Sequence, residues 1–176
     1  MSDSLATIIA IFVAAILMFI FPLMAITARN DDIVKTTVQT ATTEFVQQVA
    51  TEGHITKESY NDFTSKLYAT GNSYDVQIEV KILDENPGKK TVITSPDLIG
   101  ENVTYSVYTS KIEEEISSNG RFKLKQGDTI IVTVKNTNTT IATQLTNFFY
   151  RIVGKGTYQI GASASALVVN SAPTNY

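Results

Sequence analysis

The sequence predicts an α+β chain. A long apolar helix stands at the front, followed by a small head in which helices pack on one face of an antiparallel sheet. Three observations lead there. Leu5 to Ile26 is a run of twenty-two residues without a charge. Val34, Val38, Ala41, Phe45 and Val49 recur at spacings of four and three, which is the stripe of an amphipathic helix. Tyr74, Val76, Ile78, Val80 and Ile82 alternate with Asp75, Gln77, Glu79 and Lys81, the pattern of a strand with one dry and one wet face.

The apolar front comes first. As a helix it measures roughly 33 Å, enough to cross a hydrocarbon core of about 30 Å. A cleavable signal has a basic start, a shorter apolar run and a small-x-small site. Here Met1–Ser4 carry no Lys or Arg, and Ala25-Ile26-Thr27-Ala28 is a poor site. Retention is the expectation. Ala10, Ala14 and Ala15 are small enough to let another helix approach closely. Pro22 cannot donate to the carbonyl of Met18, so a kink or a loosened turn is expected there. Arg29 and Lys35 follow the segment and none precedes it, a bias that counts toward a cytoplasmic C-terminus. Asp31 and Asp32 soften it, and the Thr- and Asn-rich remainder argues for the outside, which is the placement expected.

Asn30, Asp31 and Asp32 either cap a new helix or continue the first one. No Pro or Gly separates Ile26 from the stripe, so one helix can run from Leu5 to Glu52, about 72 Å. Gly53 stops it. The expected organisation is 1–29 as a transmembrane or assembly helix, 30–53 as an amphipathic extension, and 54–176 as the head.

Within the head, Thr56 caps a helix with Tyr60, Phe63 and Leu67 on one face and Gly71 at its end. The 74–82 strand follows, then a turn at Asn86-Pro87-Gly88 and a short strand at "TVIT". Residues 104–118 read as a helix with Tyr108, Ile112 and Ile116 inward, ended near Gly120. "RFKLK", a Gly127-Asp128 turn and "TIIVTVK" read as a hairpin. "TTIATQLTNFFYRIVG" reads as an amphipathic helix carrying Ile141, Leu145, Phe148 and Ile152. The alternation of Tyr158, Ile160, Ala162, Ala164, Ala166 and Val168 reads as a strand whose small side chains let a helix lie close.

Composition narrows the functions. The chain has 176 residues, a net charge of −3 and no cysteine, and 24 of its residues are Thr. No basic face points to nucleic acid, and thiolate chemistry is excluded. The only histidine, His54, follows a helix-ending glycine and reads as a solvated loop residue. Glu113, Glu114 and Glu115, and Asp84 with Glu85, read as wet surface ahead of a calcium site. Gly154-Lys155-Gly156 lacks the spacing of a phosphate loop. Asn102 and Asn138 match the N-glycosylation pattern, which matters only in a eukaryotic secretory setting. No nucleophile–base constellation appears, so neither enzyme activity nor a cofactor or metal is expected.

The order of parts resembles a pilin-like protein of the type IV filament superfamily, and more narrowly the TadE/TadF-like pseudopilins of tight-adherence (Flp) pili. "FIFPLMAI" with Pro22, "VQTATTEFVQQVATEGHIT" and "NSYDVQIEV" carry the resemblance over residues 1 to about 83. Such precursors have a glycine before the apolar helix and often an early glutamate. Residues 1–4 contain no glycine, and the early positions are Leu5, Ala6 and Thr7, with Asp3 the nearest acid. The resemblance implies a structural subunit. Its partners would be further copies or other pilin-like subunits, the membrane, and a pilus or secretion assembly machinery. The second reading from the residues is a single-pass binding module whose helix only anchors. In a filament part of the stripe Val34, Val38, Phe45 and Val49 would lie between subunits; on a plain anchor the chain's own head would cover it entirely.

Overall fold

The computed structural model describes residues 2–83, 104–138, 144, 147, 151 and 161–172. The expected "TVIT" strand and 86–88 turn lie outside these residues. So does the 139–154 helix, of which only Gln144, Asn147 and Arg151 are described, each in helical conformation.

Helix α1 runs unbroken over Ser2–Glu52, passing straight through the expected 29/30 boundary. Its 51 residues extend about 76 Å. A single-residue step at Gly53 leads into β1 (His54–Thr56) and α2 (Lys57–Tyr68). Thr56 caps α2 as its sequence suggests. Its Oγ1 accepts from Ser59 N at 3.0 Å while Ser59 Oγ accepts from Thr56 N at 3.1 Å, so two otherwise unpaired amides are satisfied together. Then come β2 (Tyr74–Leu83), β3 (Thr104–Tyr108), α3 (Thr109–Asn119), β4 (Arg121–Lys123), β5 (Thr129–Asn136) and β6 (Gly161–Leu167).

The main sheet is antiparallel throughout, in the order β3-β2-β5-β6. Register puts Val80 opposite Ile130 and Ile130 opposite Ala166, then Ile78 opposite Val132 and Val132 opposite Ala164. One face is therefore apolar along its middle, with the buried pair Tyr74–Asn136 at its end, and the second half of α1 lies across its β5–β6 side. Val38 and Val49 are completely buried there, with Val34, Ala41 and Phe45 nearly so. Phe45 also stacks on Phe63 of α2, ring centroids 4.4 Å apart and planes 6° apart.

Two expectations are corrected. Residues 104–108 form a strand, not the first turn of a helix, and Tyr108 is exposed instead of inward. The run Thr-Tyr-Ser-Val-Tyr suits a pleated surface, and it pairs with β2 from Glu79 to Leu83. The helix begins at Thr109, and Ile112 and Ile116 are buried as expected. Second, β4 and β5 do not form a hairpin. β4 pairs with β1 in a small separate sheet, while β5 inserts between β2 and β6. Asp128 accounts for the redirection. Its buried carboxylate accepts from Lys125 N at 2.8 Å and from Leu83 N at 3.0 Å, which folds the turn onto the end of β2. His54 is accordingly half-buried in a strand, its Nδ1 bonded to the Glu52 carbonyl at 2.9 Å, rather than in a solvated loop.

The far end of α1 is closed by the chain's last described residues. Val169 N donates to Ala50 O at 3.0 Å, Asn170 Nδ2 to Thr51 O at 2.9 Å, and Leu124 N to Gly53 O at 2.8 Å. These bonds occupy carbonyls that a helix end leaves open. Gly53 sits at φ +70°, and a Cβ there would lie 2.3 Å from the Asn170 carbonyl oxygen. Gly71, at φ +78°, has open space around it. Both substitutions to Ala carry the cost of the left-handed backbone, roughly 1–2 kcal/mol, but only Gly53→Ala also forces the tail off the helix end. Denaturant titration is expected to show Gly71→Ala near that cost and Gly53→Ala well above it. Equal losses would contradict the tail-capping role.

Candidate functional site

The site is the exposed front of α1 and its junction with the head. Between Leu5 and Ile26 nearly all of the described apolar side chains are exposed, on every side of the helix: Phe12 is 69% exposed, Met18 76% and Phe19 78%. Among the described residues this is one helix long and apolar enough to cross a membrane. Nothing in the described head covers it, so in water these side chains would each forgo roughly 1.5–3 kcal/mol of burial. The front is therefore compatible with a membrane anchor.

Ala10, Ala14 and Ala15 are all exposed. Ala10 and Ala14 stand one above the other, and Ala6, also exposed, extends the same row by one more turn. The signal is present in the four-residue spacing of small residues, which lets helix backbones come close. Pro22 is exposed and the helix continues through it. The Met18 carbonyl cannot receive an amide from position 22, but this local loss does not break the helix.

The stripe Val34, Val38, Phe45 and Val49 lies elsewhere. All four residues are at most 8% exposed and belong to the core cluster with Ile78, Val132 and Val134. The expected 30–53 extension is thus part of the head's core, and its stripe offers nothing to a neighbour. Complete cover by the chain's own head is how a plain anchor would use it.

What the junction does expose is the flank of α1 that faces α2. Thr36 and Thr37 there bond back to the carbonyls of Asp32 and Ile33 at 2.9 Å each. This turns their hydroxyls onto the helix and leaves their methyls outward. A groove of about 660 Å³ opens along this side, walled by Ile33, Thr37, Ala41 and Ala69 and rimmed by Arg29 and Lys66. Lys66 Nζ meets Glu44 Oε2 at 3.2 Å across it. Ile33 is 62% exposed. Partial burial and the neighbouring Asp32 hold the Asp31 carboxyl above its ordinary range. Among the described residues, no three His, Cys, Asp or Glu side chains stand close enough to share a metal ion.

No family model, curated protein or solved structure matches the chain.

The exposed front gives a direct expectation for the mature protein. Native material should pellet with membranes, resist alkaline extraction, and show by intact mass that residues 5–26 are present. A mature chain starting near Asn30 would remove the anchor, and every role assigned to it.

Proposed function

We propose that the chain is a pilin-like structural subunit, held in the membrane by α1 with its head outside the cytoplasm and packed through α1 against further copies or other pilin-like subunits. The observation that carries this reading is the continuity of α1. The same helix that presents apolar side chains on all sides at the front becomes the core of the head, with no linker between. A tether needs no such rigidity, whereas a subunit whose helix must take up a defined place among other helices does. The row Ala6, Ala10, Ala14 and the groove beside Ile33 and Ala41 supply surfaces on which that packing can occur. Assembly would pass through a pilus or secretion machinery, and the reading gives the head no catalytic step.

The alternative is a single-pass binding module outside the cytoplasm and outside any filament. Complete burial of the Val34–Val49 stripe on its own head favours it, because the head then needs no neighbour to close its core.

Substitution at Ala14 separates the two. Ala14→Phe keeps the segment apolar, so membrane insertion should survive. Overpacking a helix contact costs about 1–3 kcal/mol, and the cost repeats in every subunit. Surface filaments sheared from cells and counted by electron microscopy should fall severalfold while the membrane-bound amount is unchanged. If Ala14→Phe and a scrambled 5–26 segment both leave surface structures and function intact, the helix is an anchor alone and the binding-module reading stands.

A further inference from the structure

The edge of the main sheet is incomplete. β3 pairs with β2 only from Glu79 to Leu83 and then leaves at Tyr108 to become α3. Ile78, the next residue of β2 on that side, is served by a side chain. Thr109 Oγ1 accepts from Ile78 N at 2.7 Å and donates to Ile78 O at 3.3 Å, standing in for a strand. Backbone groups alternate sides along a strand, so Val76 turns its N–H and C=O to the same edge as Ile78, and so does Tyr74. Among the described residues no strand pairs with them there.

Beside this stretch a notch of about 540 Å³ reaches from the edge over the outer face of the sheet, where Ile131 and Thr133 of β5 also line it. Asp75, Gln77 and Glu79 line it from β2, and Glu113 from α3. Among the described residues the lining includes three carboxylates and no basic side chain. Each accepts from an uncharged neighbour: Gln77 Nε2 donates to Asp75 at 2.8 Å, Ser106 Oγ to Glu79 at 2.7 Å, and Tyr60 OH to Glu113 at 2.7 Å. Burial and the adjacent Glu113 push the Tyr60 phenol well above its ordinary range, so it stays a donor. These carboxylates do not stand close enough to share a metal ion.

We infer that this notch binds an extended basic segment of another protein, which adds a short strand alongside Tyr74–Ile78 and places a Lys or Arg side chain between Asp75 and Glu113. Backbone pairing to an open edge gives such a segment its hold, and the charges select it. A second copy pairing through this edge would set Asp75 and Glu79 against their own counterparts, and like charges across a sheet edge are repulsive. The inference does not depend on whether α1 packs in a filament or only anchors.

The test uses the full chain in nanodiscs of uncharged phosphatidylcholine, to which basic peptides do not adhere. The probe is a fluorescent six-residue peptide alternating Lys with Thr and Val. Anisotropy should show saturable binding that weakens as salt rises, and hydrogen exchange of the Tyr74 and Val76 amides should slow when peptide is added. Asp75→Asn and Glu113→Gln are surface changes that leave the fold intact, and each should weaken binding about fivefold, the size of one partly exposed charge pair. A peptide N-methylated on its pairing edge, or one with Glu in place of Lys, should not bind. The inference is overturned if the N-methylated peptide binds equally, or if the Tyr74 and Val76 amides already exchange slowly without peptide because the chain covers its own edge. It is also overturned if no peptide binds and Asp75→Asn merely promotes aggregation, in which case the carboxylates only guard the edge.

Discussion

The contact between the second half of α1 and the apolar face of β5 and β6 governs the rest of the molecule. Val38, Val49, Val132, Val134 and Ile130 are fully buried in it, and Ala162 packs at its margin. Because Ala162, Ala164 and Ala166 are small, the helix can settle close over β6. A helix so placed has its C-terminal end deep in the head, where open carbonyls would be costly. The tail from Val168 to Ala172, the β1–β4 pair and Gly53 all converge there to close it. The same placement sends the N-terminal half of α1 straight out of the head, where no part of the described head touches it.

The long elements are legible in the sequence because each writes one period over many residues. The uncharged run 5–26, the stripe from Val34 to Val49, the 74–82 alternation and the capped helix after Thr56 all carry local signals that tertiary contacts do not override. Local pattern misleads where its signals are ambiguous or the deciding partner is remote. Thr104–Tyr108 is short, and its aromatic and β-branched residues turn it toward β2, which lies twenty residues or more earlier in the chain. The Gly127-Asp128 turn looks like a hairpin turn, yet the Asp128 carboxylate reaches Leu83, a contact that no local pattern announces. His54 looks like a loop residue because its strand is three residues long and its partner, Lys123, is distant.

The candidate site is legible in part. Ala10, Ala14, Ala15 and Pro22 stand out from the apolar run itself. The allotment of the stripe does not, since period alone shows that a face is dry and says nothing of what covers it. The sheet that covers it decides the matter and leaves the exposed apolar surface to the front of α1 and to the side bearing Ile33. The notch beside Val76 is equally hidden, because an unpaired edge is a property of the register between strands and not of any one strand.

Spin labels test the central claim, that α1 is one rigid element from its apolar front into the core. The chain has no cysteine of its own, so Met18→Cys and Gln47→Cys, both at exposed positions, can be labelled cleanly in nanodiscs. Along an unbroken helix the two positions lie about 44 Å apart. Pulsed dipolar spectroscopy should return a single narrow distribution near that distance. A broad distribution, or a peak many ångströms shorter, would mean that the helix bends or parts between membrane and head, and the account of a continuous lever would fail.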